Sequence, residues 1–128
     1  MASGALAGAR ILVVEDEYYL ADDARSILLK AGAEIVGPAP TVDAATALVE
    51  ADDRISSVLL DVNLRGQMAY DVADVLQARG IPFAFVTGYD SGALPERFSD
   101  APVLKKPTGA EDLIGLFEML TAGAQAPR

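Results

Sequence analysis

Apolar positions along the chain fall into short dense runs, separated by stretches in which they recur every third or fourth residue. Arg10–Val14 (RILVV) is continuous and rich in β-branched side chains, the pattern of a strand buried on both faces. From Glu17 to Ala31, the residues Leu20, Ala24, Ile27 and Leu28 repeat at helical spacing, and Gly32 predicts the helix end. Glu34–Gly37 reads as a short strand closed by Pro38. Thr41 reads as the cap of a helix that carries Val42, Ala45, Leu48 and Val49 on one face. Ser57–Leu60 is a third strand, and Ala69, Val72, Ala73 and Leu76 mark a helix running to Gly80. Ile81–Val86 and Ala101–Leu104 read as strands, and Ala110–Leu120 as a helix with Leu113, Leu116, Phe117 and Leu120 aligned. Gly88–Asp100 (GYDSGALPERFSD) is too rich in Gly, Ser, Asp and Pro to predict more than loop with one turn. Five apolar strands alternating with four helices predict an α/β fold, its parallel sheet covered on both faces.

At 128 residues the chain reads as one domain, with 1–9 and 123–128 as loose tails around a folded 10–122. No apolar run approaches the roughly 20 residues of a membrane span, and the start lacks the layout of a secretion signal. With no Cys there is no disulfide frame and no thiolate chemistry, which suits the cytoplasm. With no His there is no Ser-His-Asp machinery, no imidazole base and no ordinary zinc site. Any chemistry must run on carboxylates, hydroxyls, lysine and a hard cation. A formal net charge of −9 argues against nucleic acid as a partner, since phosphate binding needs a basic face.

In an open parallel sheet, sites form outside the carboxyl ends of the strands. Glu15, Asp16 and Glu17 follow the first strand; the third ends in Asp61; the fourth ends in Thr87 and Gly88; Lys105, Lys106 and Pro107 follow the fifth. Any one of these reads as an ordinary loop-start residue, but four strand ends converging on one crevice favour a site. Glu15, Asp16 and Asp61 would resist joint ionisation, and Lys106 plus a divalent cation would offset them. An all-oxygen donor set suits Mg²⁺, and main-chain oxygen near Asn63 can complete its shell. Lys105 reads as solvated, whereas Lys106, directly before Pro107, reads as the site lysine.

The stretches VVEDE, LLDVNL, FVTGY and LKKP, in this order, resemble the receiver domain of bacterial two-component response regulators over roughly Arg10 to Leu120. The resemblance implies a flavodoxin-like (βα)5 fold with strand order 2-1-3-4-5, its fourth helix short or disordered. It implies that Asp61 is the phosphoacceptor, fed by a partner histidine kinase. Glu15, Asp16, Asp61 and the Asn63 carbonyl would hold Mg²⁺, Thr87 would be the switch hydroxyl, and Lys106 would contact the phosphoryl group. A cis Lys106–Pro107 bond is also implied. Val103 stands where many receivers carry an aromatic switch residue, so the usual coupled Thr–aromatic movement is not expected.

PFAFVTGYD is similar to the FATGUY subgroup of stand-alone receivers, with Val86 in place of the usual Ala. That likeness implies a kinase of the HWE or HisKA2 type and a stress or adaptation pathway. Tyr89 reads either as an exposed loop aromatic or as a shield folding over the phosphorylated site. No segment is left over for an output domain, so a downstream protein partner or a phosphate relay is expected. Two other functions stay open at this point. One is an interaction module that never takes phosphate. The other is a phosphohydrolase of the haloacid dehalogenase type, although such enzymes want a second Asp where this chain has Asn63.

Overall fold

The computed structural model describes residues 4–88 and 94–125. Its elements are β1 (Arg10–Val14), α1 (Tyr18–Lys30), β2 (Glu34–Ala39), α2 (Val42–Ala51) and β3 (Ser57–Asp61). A small hairpin, β4 (Asn63–Leu64) with β5 (Gln67–Met68), precedes α3 (Tyr70–Ala78) and β6 (Phe83–Thr87). A single 3₁₀ turn (Glu96–Phe98), β7 (Val103–Lys105) and α4 (Ala110–Gln125) follow. The main sheet is parallel, in the order β2-β1-β3-β6-β7. With the antiparallel hairpin set aside, this is the 2-1-3-4-5 order of the flavodoxin-like fold.

Strand alternation sorts the core into two layers. Leu12, Val14, Val58, Leu60, Phe83 and Phe85 belong to one cluster, joined by Val42, Val49, Val72 and Leu76 of α2 and α3. Ile11, Val13, Leu59 and Val86 belong to the other, joined by Leu28 of α1 and by Leu113 and Phe117 of α4. Every residue of β3 and β6 is buried, which is why these strands read as unbroken apolar runs. Thr41 caps α2 as its sequence predicts: its hydroxyl accepts the Ala44 N–H at 3.1 Å.

The structure departs from the sequence reading in several places. Residues 4–9 are not a loose tail. Leu6 and Ala9 are buried in the second cluster, and the Leu6 N–H donates to the Ala31 carbonyl at 2.8 Å. At the other end α4 continues to Gln125, past the expected boundary at 122. β2 runs on through a cis Gly37–Pro38 bond to Ala39, with a register shift against β1. Gly37 has φ +85, and a Cβ there would lie 2.9 Å from the Val13 carbonyl oxygen and 2.8 Å from the Ala39 nitrogen. β6 begins only after Pro82, and β7 sits two residues later than expected at its start. In the described part of the Gly88–Asp100 segment the regular structure is the one 3₁₀ turn, which buries Phe98 fully against Tyr70, Phe83 and Phe85. Arg97 lies over the Phe98 ring and pairs with Asp74 of α3. Tyr89 lies outside the described residues.

The Thr121 hydroxyl of α4 is buried with no hydrogen-bond partner among the described residues. Thr121→Val keeps the shape and removes the desolvated hydroxyl. It is expected to raise stability by about 1 kcal/mol, read as a higher denaturation midpoint at unchanged slope.

Candidate functional site

Two carboxylates arrive together because of strand parity. Val14 pairs with Leu60 across β1 and β3, so the next residues on each strand, Glu15 and Asp61, are neighbours at the carboxyl edge. Glu15 follows Ile11 and Val13, and Asp61 follows Leu59, onto the face covered by α1 and α4. Both are buried. Asp16 joins them, and one oxygen from each of Glu15, Asp16 and Asp61 lies within 4.8 Å of the others. Thr87 ends β6 beside them. Lys106 leaves β7 through a cis bond to Pro107, as the resemblance implies, and its main-chain N–H donates to the Thr87 carbonyl at 2.9 Å.

The Lys106 ammonium closes the cluster. Nζ donates to Asp61 Oδ2 at 2.8 Å and lies 3.0 Å from Glu15 Oε1 and 3.9 Å from Glu17 Oε1. Burial by itself would lower its pKa, but hydrogen bonds to Asp61 and Glu15 outweigh that and hold the pKa above its ordinary value. Main-chain amides supply further donors: Glu17 N–H to Glu15 Oε2 at 3.1 Å, Asn63 N–H to Asp61 Oδ1 at 3.2 Å, and Arg65 N–H to Asp16 Oδ2 at 2.9 Å. The Asn63 side chain turns away, accepting the Gly66 N–H at 2.8 Å, so any ligand it offers the crevice is main-chain oxygen. Asp16, Asp61, Asn63, Thr87 and Lys106 line one open pocket of about 430 Å³.

Glu15 is strongly perturbed. Burial, then its hydrogen bond to Asp61, push its carboxyl from 4.5 up to about 7, against the pull of Lys106 and the Glu17 amide. Between those values the folded chain binds more protons than the unfolded one. The stability this gives is full below about pH 4.5 and is lost as pH rises through about 7. Glu15→Gln is therefore expected to flatten the fall in stability over this range, by about 2 kcal/mol once solvent screening of the carboxylate is allowed for, in denaturant titrations without divalent cation. Adding Mg²⁺ to the parent chain is expected to flatten it too, because a cation favours the ionised carboxylate.

Three carboxylates with no nitrogen or sulfur donor among them fit a hard, oxygen-preferring cation. The site thus brings together all the sequence-predicted residues that lie within the described chain. The sequence reading missed the amides of Arg65 and Glu17. Gly66 was the visible signal, since a lone Gly between short runs marks a tight turn.

Comparisons with known proteins point to the same fold. SdrG from Sphingomonas melonis Fr1 is 38% identical over 92% of this chain and 98% of its own, with a TM-score of 0.69. The REC domain of the Erythrobacter litoralis PhyR response regulator is 25% identical, covering 98% of each chain at a TM-score of 0.79. The N-terminal domain of a response regulator/sensory box/GGDEF protein from Carboxydothermus hydrogenoformans is 26% identical over 88% of this chain and 93% of its own, at 0.76. The chain belongs to the receiver domains of response regulators. No family model matches it, and neither does any curated protein. Receiver domains are signalling domains rather than classical enzymes, and the acidic cluster of this one stands at the carboxyl edge of its sheet. No helix among the described residues of this receiver is long and apolar enough to cross a membrane.

Proposed function

We propose that this receiver takes a phosphoryl group onto Asp61 from the phosphohistidine of a partner histidine kinase, with Mg²⁺ at Glu15, Asp16, Asp61 and the Asn63 carbonyl. The observation that carries the reading is the setting of Asp61, a buried strand-end carboxylate with an ammonium at 2.8 Å and two further acids within 4.8 Å. An Asp61 oxygen bonds to phosphorus as the phosphorus–nitrogen bond breaks, its electron pair returning to the donor imidazole. Such transfer needs positioning and charge neutralisation more than covalent machinery. Mg²⁺, when bound, offsets the charge of the carboxylates and of the incoming phosphoryl oxygens. Lys106 is already in place and exchanges part of its bonding from Asp61 and Glu15 to a phosphoryl oxygen. Thr87, buried at the end of β6, then turns its hydroxyl to the phosphoryl group and carries the change to the chain that follows. Asn63, two residues after Asp61, is an amide held in a turn and supplies no general acid, which favours an acceptor over a hydrolase.

On the likeness of PFAFVTGYD, we read the donor as a kinase of the HWE or HisKA2 type, acting in a stress or adaptation pathway in the cytoplasm. Output passes to a downstream protein or a phosphate relay. A phosphotransfer profile against the host's histidine kinases tests the reading, with Asp61→Asn as control. Label transferred rapidly from one or a few kinases to the parent chain supports it. No transfer from any kinase, or equal label on Asp61→Asn, contradicts it.

A further inference from the structure

We propose that the Asn63–Met68 hairpin is a positioning device for the cation site, and that Arg65 does this through its main chain rather than its guanidinium. The proposal rests on the reading of Asp16 as a cation ligand. The hairpin is as short as one can be: Leu64 pairs with Gln67, and Arg65 and Gly66 make the whole connection. Its base is fixed by burial of Val62 and Leu64 and by the Ala69 N–H donating to the Val62 carbonyl at 2.8 Å.

Of the two-residue hairpin turns that match strand twist, type I′ needs positive φ at both central residues, and Arg65 and Gly66 both have it. Gly66 adopts +84° without steric cost, and a Cβ there would meet only open space. Arg65 adopts +55°, the sole non-Gly residue with positive φ among the described residues. Strain of this kind persists where surrounding structure enforces it, and here it falls on the residue whose N–H donates to Asp16 Oδ2 at 2.9 Å.

Three successive contacts make the turn one unit. Asn63 N–H holds Asp61 Oδ1, Gly66 N–H holds the Asn63 side chain, and Arg65 N–H holds Asp16. One amide on Asp16 fixes its rotamer and leaves its other lone pairs for a cation. The hairpin therefore ties a ligand contributed by the β1–α1 junction to the carboxylate that ends β3. Removing a group that orients a ligand from outside the coordination sphere typically costs about 10–100-fold in metal affinity.

The test is a Mg²⁺ titration of the full chain, followed by amide NMR, on the parent protein and three variants. Arg65→Gly keeps the N–H and permits positive φ, so its dissociation constant is expected within about twofold of the parent's. Arg65→Pro removes the N–H and forbids positive φ, and is expected to weaken Mg²⁺ about tenfold. Gly66→Ala strains the turn with no new contact and is expected to fall between them. In the parent, the Arg65 amide resonance is expected to move with Mg²⁺ along the same isotherm. Equal affinity in Arg65→Pro and the parent overturns the proposal, as does a loss in Arg65→Gly as large as that in Arg65→Pro. Where Arg65→Pro fails to fold, parental affinity in Gly66→Ala overturns it instead. A parent chain that binds no Mg²⁺ removes the underlying reading of the site, and the proposal with it.

Discussion

Asp61→Asn is expected to abolish phosphoryl incorporation from every donor and, in the same protein, to raise stability above pH 7 by about 1 kcal/mol. The two effects share one cause. Asn matches Asp in shape and still offers Lys106 an acceptor oxygen, but it has no anionic oxygen to attack phosphorus. It also removes the negative neighbour that helps push Glu15 up to about 7. With Asp61 neutral, Glu15 ionises more readily in the folded state and less stability is lost as pH rises. A site built from mutually repelling acids is a local cost that the rest of the fold offsets. Chemical denaturation at pH 8 without Mg²⁺ reads the stability change, and donor incubation reads the other. A variant less stable than the parent at that pH would show that the acids do not repel in the way described here.

Lys106→Met is expected to have the opposite sign. The ammonium is the cation that meets both Asp61 and Glu15, its side chain is 12% exposed, and theirs are 5% and 8% exposed. Met fills the volume but leaves two desolvated carboxylates facing each other. Removing one partner of a buried ion pair costs about 3–5 kcal/mol, because the charge left behind has lost its partner and its water. The cost here is expected near the lower end, about 3 kcal/mol at pH 8, since Glu15 relieves it by taking a proton. Loss of Lys106 removes an influence that lowers the Glu15 pKa. Stability of the variant therefore falls more steeply with rising pH than that of the parent, and the deficit shrinks towards pH 6. Mg²⁺ is expected to restore part of it at pH 8, which a purely steric defect would not allow. A deficit independent of both pH and Mg²⁺ would mean that Lys106 acts by packing alone.

How legible these features are in the sequence depends on how much regular structure surrounds them. β1, β3 and β6 are covered on both faces, so burial leaves uninterrupted apolar runs that end at Glu15, Asp61 and Thr87. Alternation within those runs then sets Glu15 beside Asp61, and the site follows from the strand ends. The edge strand β7 is weaker: three residues long, with Val103 exposed, it slips by two positions at its start. The hairpin was legible only as a turn at Gly66, because two residues per strand carry no periodicity and Arg65 gives no hint of a left-handed backbone. Leu6 and Phe98 were hidden for a related reason. Each is a single apolar side chain in a stretch of small or polar residues, and only the tertiary fold supplies the pocket that buries it. Gly123 suggested an end to α4 that packing does not enforce, since the helix continues to Gln125.

The most direct measurement is peptide mapping by mass spectrometry after the parent chain is incubated with acetyl phosphate and Mg²⁺. One phosphoryl mass on the peptide containing Asp61, absent when Mg²⁺ is chelated and absent in Asp61→Asn, is the expected result. An unmodified chain, or a phosphoryl group that sits on another residue and persists in Asp61→Asn, would contradict it.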